Sequence, residues 1–227
     1  MTTPLSRFPE NQWPAIPSAY AAGMLAMLFQ LEQTQWWSPE KLREHQERQL
    51  SVLLDHARTT VPFYRERLGD WHSIPLLSRR DIQLAGSSLH STAVPKNHGE
   101  VSTTTTGGST GQPVTVLTTG MTDFYWRVLT LRDHFWHRRD FSKPFAAIRY
   151  MADNVGQPPY GTSVDNWGSG TKNVFPTGLA YLLNIKSSID EQAEWLRQVN
   201  PGYVLGYPSA LEAIANVFEE RGWHLSE

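Results

Sequence analysis

Between Leu50 and Val61 the apolar residues Leu50, Leu53, Leu54, Ala57 and Val61 fall at three- and four-residue steps. That spacing lays one apolar stripe along an α-helix. The helix opens with Ser38 as N-cap and Pro39 at the first helical position, where a missing N–H costs nothing, and Pro62 stops it. Before it, Ala19–Leu31 is apolar almost throughout and predicts a helix running to about Gln33. That run falls short of the roughly 20 residues a membrane-spanning helix needs. It is read as a buried or groove-docked helix of a soluble, cytoplasmic protein with no membrane partner. Residues 1–18, rich in Pro and polar side chains, are assigned to an extended arm without a secretory leader, and residues 19–227 to one domain.

Further along, Phe63–Leu68 predicts a short helical turn closed by Gly69, and Arg79–Leu84 a short helix. Thr and Val predominate near Val101 and over Val114–Thr118, which marks two β-segments. Thr122–His137 is a long helix with Phe124, Val128, Leu131 and Phe135 inward, and Phe145–Met151 is a buried strand. Ala152–Thr177 is dominated by Gly, Pro, Asn, Asp and Ser and is read as loops with short strands at most. Leu179–Ile185 is a strand. Ser188 with Glu191 forms a capping box for a helix through Val199, Tyr203–Gly206 is a strand, and Ser209 with Glu212 repeats the capping pattern before Gly222. Strand, helix, strand, helix predicts βαβ units with parallel pairing. The fold class is therefore α/β, amino-terminal helices followed by a mixed sheet. A βαβ series calls for another strand after Gly222, so the chain is expected to be part of a longer fold.

Composition narrows the chemistry. With no cysteine among 227 residues, thiolate metal sites and a Cys nucleophile are excluded. The formal net charge of −2 and the scattered Lys and Arg exclude a nonspecific nucleic-acid partner. Ser163 lies in Gly-Thr-Ser-Val-Asp, which lacks the second glycine of a nucleophile elbow.

The segment Thr103–Gly111, bracketed by the two β-segments, is the richest in candidate chemistry. Gly107, Gly108 and Gly111 tolerate left-handed backbone and so allow successive N–H groups to converge on an anion. Ser109 and Thr110 add hydroxyl donors. No Lys follows Gly111, so this is not a Walker loop, and the glycine spacing is not that of a dinucleotide-binding turn. An unliganded Ser/Thr/Gly hairpin accounts for the composition equally well.

Thr106-Gly107-Gly108-Ser109-Thr110-Gly111-Gln112-Pro113 resembles the phosphate loop of the adenylate-forming superfamily. Val114, where many members carry Lys, resembles the phenylacetate–CoA ligase (CapK-like) branch, of which this chain looks like the amino-terminal part. Three further stretches resemble that branch in the same order. They are His56-Ala57-Arg58 leading to Val61-Pro62-Phe63-Tyr64, Ile74-Pro75-Leu76-Leu77-Ser78 with Arg80-Asp81-Ile82, and Gly206-Tyr207-Pro208-Ser209-Ala210-Leu211. The resemblance implies a partial adenylate-forming large domain, with ATP and Mg2+ as cofactors and a small carboxylic acid as substrate. It also implies CoA as the acceptor thiol, and a homodimer is one assembly open to it. Thr105, Thr106, Gly107, Gly108, Ser109, Thr110 and Gly111 would hold the nucleotide phosphates. The family's Tyr-Gly-x-Thr-Glu stretch, its ribose-binding Asp and its catalytic Lys have no counterpart here; after Tyr160-Gly161-Thr162 come Ser163 and Val164. Catalytic residues therefore stay unassigned, and the chain alone is expected to give little or no adenylation.

Weaker candidates complete the list. Trp167, Tyr207 and Ser209 are substrate-side candidates, and Trp126 and Trp136 are expected in the core. His134 and His137, three apart on a helix, could share a metal but are read as a helix face without one, and His90 and His98 as chemically silent. Two rival functions are a noncatalytic remnant or partner-binding module of the same fold, and a sugar-phosphate or nucleotidyl transferase. The second lacks any Asp-x-Asp metal site.

Overall fold

A computed structural model describes residues 3–69, 74, 76–105 and 113–226. The chain divides into two compact units, one of Met1–Leu28 with Arg127–Glu227 and one of Phe29–Trp126.

The first unit carries a four-stranded mixed sheet. Its strands are β3 (Phe145–Arg149), β4 (Thr162–Val164), β5 (Ala180–Asn184) and β6 (Tyr203–Leu205), in the order β4-β5-β3-β6. β3 pairs in parallel with both β5 and β6, whereas β4 runs antiparallel to β5. The connection from β5 to β6 passes through α5 (Ile189–Val199) and skips over β3, which is the expected βαβ unit; α6 (Pro208–Glu220) follows β6. Ala146, Ile148 and Leu183 from the strands pack against Ala193, Trp195, Leu196 and Ile214 from these helices, every one of them buried. Ser188 caps α5 as predicted, accepting from the Glu191 N–H at 3.3 Å while Glu191 Oε2 accepts from the Ser188 N–H at 2.8 Å.

The segment between β3 and β5 is irregular and is held by its polar groups. The fully buried Asn184 amide donates to the carbonyls of Met151, Ala152 and Val155 at 3.1–3.2 Å. Gln192, also buried, donates to the Ile185 and Ser187 carbonyls and so fixes the turn into α5. The amino-terminal arm has no regular element, but it is pinned: the Leu5 N–H donates to the Val174 carbonyl at 2.7 Å and the Arg7 N–H to that of Ile16 at 2.8 Å.

The second unit holds α2 (Pro39–Thr60), α3 (Arg79–Ala85) and a two-stranded antiparallel sheet, β1 (Val101–Thr105) with β2 (Thr115–Thr119). α2 begins as read, with Ser38 accepting from the Lys41 N–H, and ends before Pro62. Thr103–Thr105, expected to open a loop, belong instead to β1: the strand continues as far as β2 offers partners, and Thr105 pairs with Thr115. Of the buried apolar residues described, only Val61 and Leu68 belong to this unit. The stripe of α2 is correspondingly open, and Leu53 is 61% exposed. Two helices run across the unit boundary, α1 (Ala19–Thr34) and α4 (Gly120–Trp136). On α4 the buried positions are Val128, Leu131 and His134. Trp126 and Trp136, expected in the core, are exposed, because the inward stripe of α4 passes through 128, 131 and 134 instead. No helix among the described residues is long and apolar enough to cross a membrane.

Candidate functional site

β1 and β2 present a ladder of hydroxyls. Ser102 Oγ and Thr118 Oγ1 lie 2.8 Å apart, and Thr105 Oγ1 and Thr115 Oγ1 3.0 Å apart. Cross-strand Thr and Ser pairs of this kind stabilise a sheet edge that is otherwise wet. The register brings Thr105 opposite Thr115, so the two ends of the Thr106–Val114 segment stand on neighbouring strands. Thr105 is exposed there; Thr106, Gly107, Gly108, Ser109, Thr110 and Gly111 lie outside the described residues.

Below this sheet, and wholly within the Phe29–Trp126 unit, runs a groove of ≈ 1410 Å³. Val52, Leu53 and Ala57 of α2 form one wall, Ile82, Leu89 and Val94 another, and Val116 and Leu117 of β2 contribute as well. His56 Nε2 sits 3.2 Å from Thr60 Oγ1 and 3.3 Å from Ser91 Oγ, and Ser91 Oγ donates to Thr60 Oγ1 at 3.0 Å. This cluster clasps the Ser91–Thr92 segment to the end of α2, where the Thr92 N–H donates to the Thr60 carbonyl at 2.8 Å. His90 and His98, read from sequence as silent, both line the groove. Sequence reasoning missed it because its walls come from segments some sixty residues apart, and only the apolar stripe of α2 hinted at an uncovered face.

The three substrate-side candidates are not brought together. Trp167 is half-buried in a ring cluster, with centroids 5.4 Å from His134, 5.3 Å from Phe141, 5.4 Å from Phe145 and 5.3 Å from Tyr203. Its indole N–H donates to the Lys143 carbonyl at 3.0 Å. Phe145 and Tyr203 begin β3 and β6, so Trp167 sits at the amino end of the parallel strands. Tyr207 lies past the carboxyl end of β6, roughly 13 Å along an extended chain from Tyr203. Open α/β sheets take up ligands at that carboxyl end. Ser209, predicted as N-cap, is not one: Tyr207 holds the N-cap position with no side-chain hydrogen bond, and Pro208 enters the first turn. The proline's preference for that turn starts the helix at Pro208, two residues before the start that Ser209 as N-cap would give. Also at the carboxyl ends, and unforeseen, Lys186 pairs with Asp153 and lies 5.2 Å from the Tyr150 ring centroid.

The rings of His134 and His137 each have another partner, and His137 Nε2 lies 3.4 Å from Asp133 Oδ1. His134 is 8% exposed, its Nδ1 accepts from Arg139 Nη1 at 2.9 Å, and a guanidinium can only donate, so the ring is neutral with its proton on Nε2. Burial, seconded by the Arg139 charge, pushes its pKa down to about 4. Arg139 also binds Asp133 at 2.5 Å and holds that carboxyl below its usual range. No group of three or more metal-binding side chains occurs among the described residues. Because the unfolded chain protonates His134 at its ordinary pKa, this histidine's contribution is complete above about pH 6.5. It is lost as the pH falls toward 4, by up to about 3 kcal/mol. Urea midpoints at pH 7 and pH 4.5 should therefore differ more in the wild type than in His134→Phe, and equal differences would contradict the assignment.

No protein-family model matches the chain, and a search of curated proteins found no match.

Proposed function

We propose that this chain carries the phosphate-binding part of an adenylate-forming, acid–thiol ligase type of enzyme. In that reading Mg-ATP is held while a carboxylate attacks the α-phosphorus, giving an acyl adenylate and pyrophosphate, and the acyl group then passes to a thiol such as CoA. The register of β1 and β2 supports it most. It joins both ends of the Gly/Ser/Thr segment on adjacent strands, the placement a short anion-binding turn needs. Ser109 and Thr110 would donate to phosphate oxygens, and the N–H groups of Gly107, Gly108 and Gly111 would meet the remaining charge.

Titrating Mg-ATP against the chain and against a Ser109→Ala, Thr110→Ala variant tests this. Two charge-assisted hydrogen bonds lost should weaken binding by at least about tenfold. Unchanged affinity would contradict the reading.

The noncatalytic alternative draws on a specific observation, the lack of any Tyr-Gly-x-Thr-Glu stretch, since Thr162 is followed by Ser163 and Val164. Carboxylate-dependent pyrophosphate release by this chain alone is accordingly expected to be little or none. Robust turnover would favour the ligase reading and overturn that expectation.

A further inference from the structure

The groove of the Phe29–Trp126 unit has a chemistry of its own. Its walls are apolar side chains that stay exposed, Val52 at 71% and Leu53 at 61%, on a helix stripe that would ordinarily be covered. Contiguous exposed apolar surface of this kind marks a binding site. Among the described residues the lining contains no Asp and no Glu, yet it contains His56, His90 and His98, and also Arg48, whose guanidinium pairs with Glu44 at 3.5 Å. Such a surface disfavours a cation and accepts an anion. Among the described residues the rings of His90 and His98 make no hydrogen bond, whereas His56 is already held by Thr60 and Ser91. The ≈ 1410 Å³ volume exceeds the roughly 300–1,000 Å³ typical of small-ligand pockets, so a compact aryl acid would leave most of it unfilled.

We propose that this groove binds a long apolar monocarboxylate, its hydrocarbon chain along Val52, Leu53, Ile82 and Leu117 and its carboxylate among the histidines. As the place of the acid to be activated, the proposal rests on the ligase reading. As an acid-binding site it stands on the groove alone, and its test uses no nucleotide.

Hexadecanoate and hexadecan-1-ol are titrated separately against the full chain below their aggregation limits. The same is done with Leu53→Asp, with Val116→Asp, and with the His90→Ala, His98→Ala double variant. Both aspartate positions are exposed, so the fold survives, which circular dichroism checks. Saturable binding of the acid is expected, at least tenfold tighter than of the alcohol. Each aspartate should weaken it tenfold or more, and the double histidine variant should bind acid and alcohol alike. Mg-ATP affinity should be the same in Leu53→Asp and in the double histidine variant, so a failed nucleotide titration leaves this result readable. Equal binding of acid and alcohol by the wild type, or wild-type acid affinity in Leu53→Asp, would overturn the proposal. So would a concentration-dependent dimer abolished by Leu53→Asp, which would make the groove a contact between two copies.

Discussion

Trp195→Ala is expected to lower the stability of the unit containing the mixed sheet by about 3–5 kcal/mol, the range for truncating a large buried aromatic. Trp195 is 2% exposed and packs in the cluster with Ile148, Leu183 and Leu196. Its indole N–H donates to the Tyr160 carbonyl at 3.2 Å, so the variant leaves both a cavity and an unpaired carbonyl. Urea unfolding followed by far-ultraviolet circular dichroism measures the loss. A change below about 1 kcal/mol would mean that the sheet and α5 do not pack as described.

Gly161→Ala should cost about 2–5 kcal/mol for a different reason. At φ +65° a side chain adds about 1–2 kcal/mol of strain, and forcing a methyl into packed surroundings adds about 1–3 kcal/mol. A Cβ built there would stand 2.5 Å from the Leu182 carbonyl oxygen and 3.0 Å from Trp195 Nε1. The backbone of β5 cannot yield without breaking its pairing with β3 and β4. Because part of the clash is with Trp195 itself, the double variant should lose less than the sum of the two single losses. Unfolding midpoints of the two single variants and the double one check this, and strict additivity would show that the two residues do not touch.

Local chemistry was the legible part of the sequence. Ser38-Pro39 and Pro62 set the limits of α2, and Ser188 with Glu191 set the start of α5, because each acts within a few residues of itself. The βαβ order followed from the same cues. What escaped depends on contacts far along the chain. His134 read only as a helix face, solvated or partly buried; its burial comes from Phe141 and Trp167, whose rings stand 5.8 and 5.4 Å from its own. Ser209 matched a capping pattern, yet Pro208 took the first turn. Trp126 and Trp136 carry the bulk of core residues, but Trp136 instead lies under the Arg132 guanidinium, 4.2 Å from its ring centroid. Beyond the apolar stripe of α2 the groove could not be read, since His56 and His98 line one groove only through the fold.

Amide-resolved NMR of the labelled chain, titrated with Mg-ATP, addresses the phosphate-cradle assignment directly. The backbone N–H signals of Gly107, Gly108 and Gly111, with those of Ser109 and Thr110, should move together and saturate at one affinity. Saturable shifts confined to other residues, or none at any attainable nucleotide concentration, would contradict it.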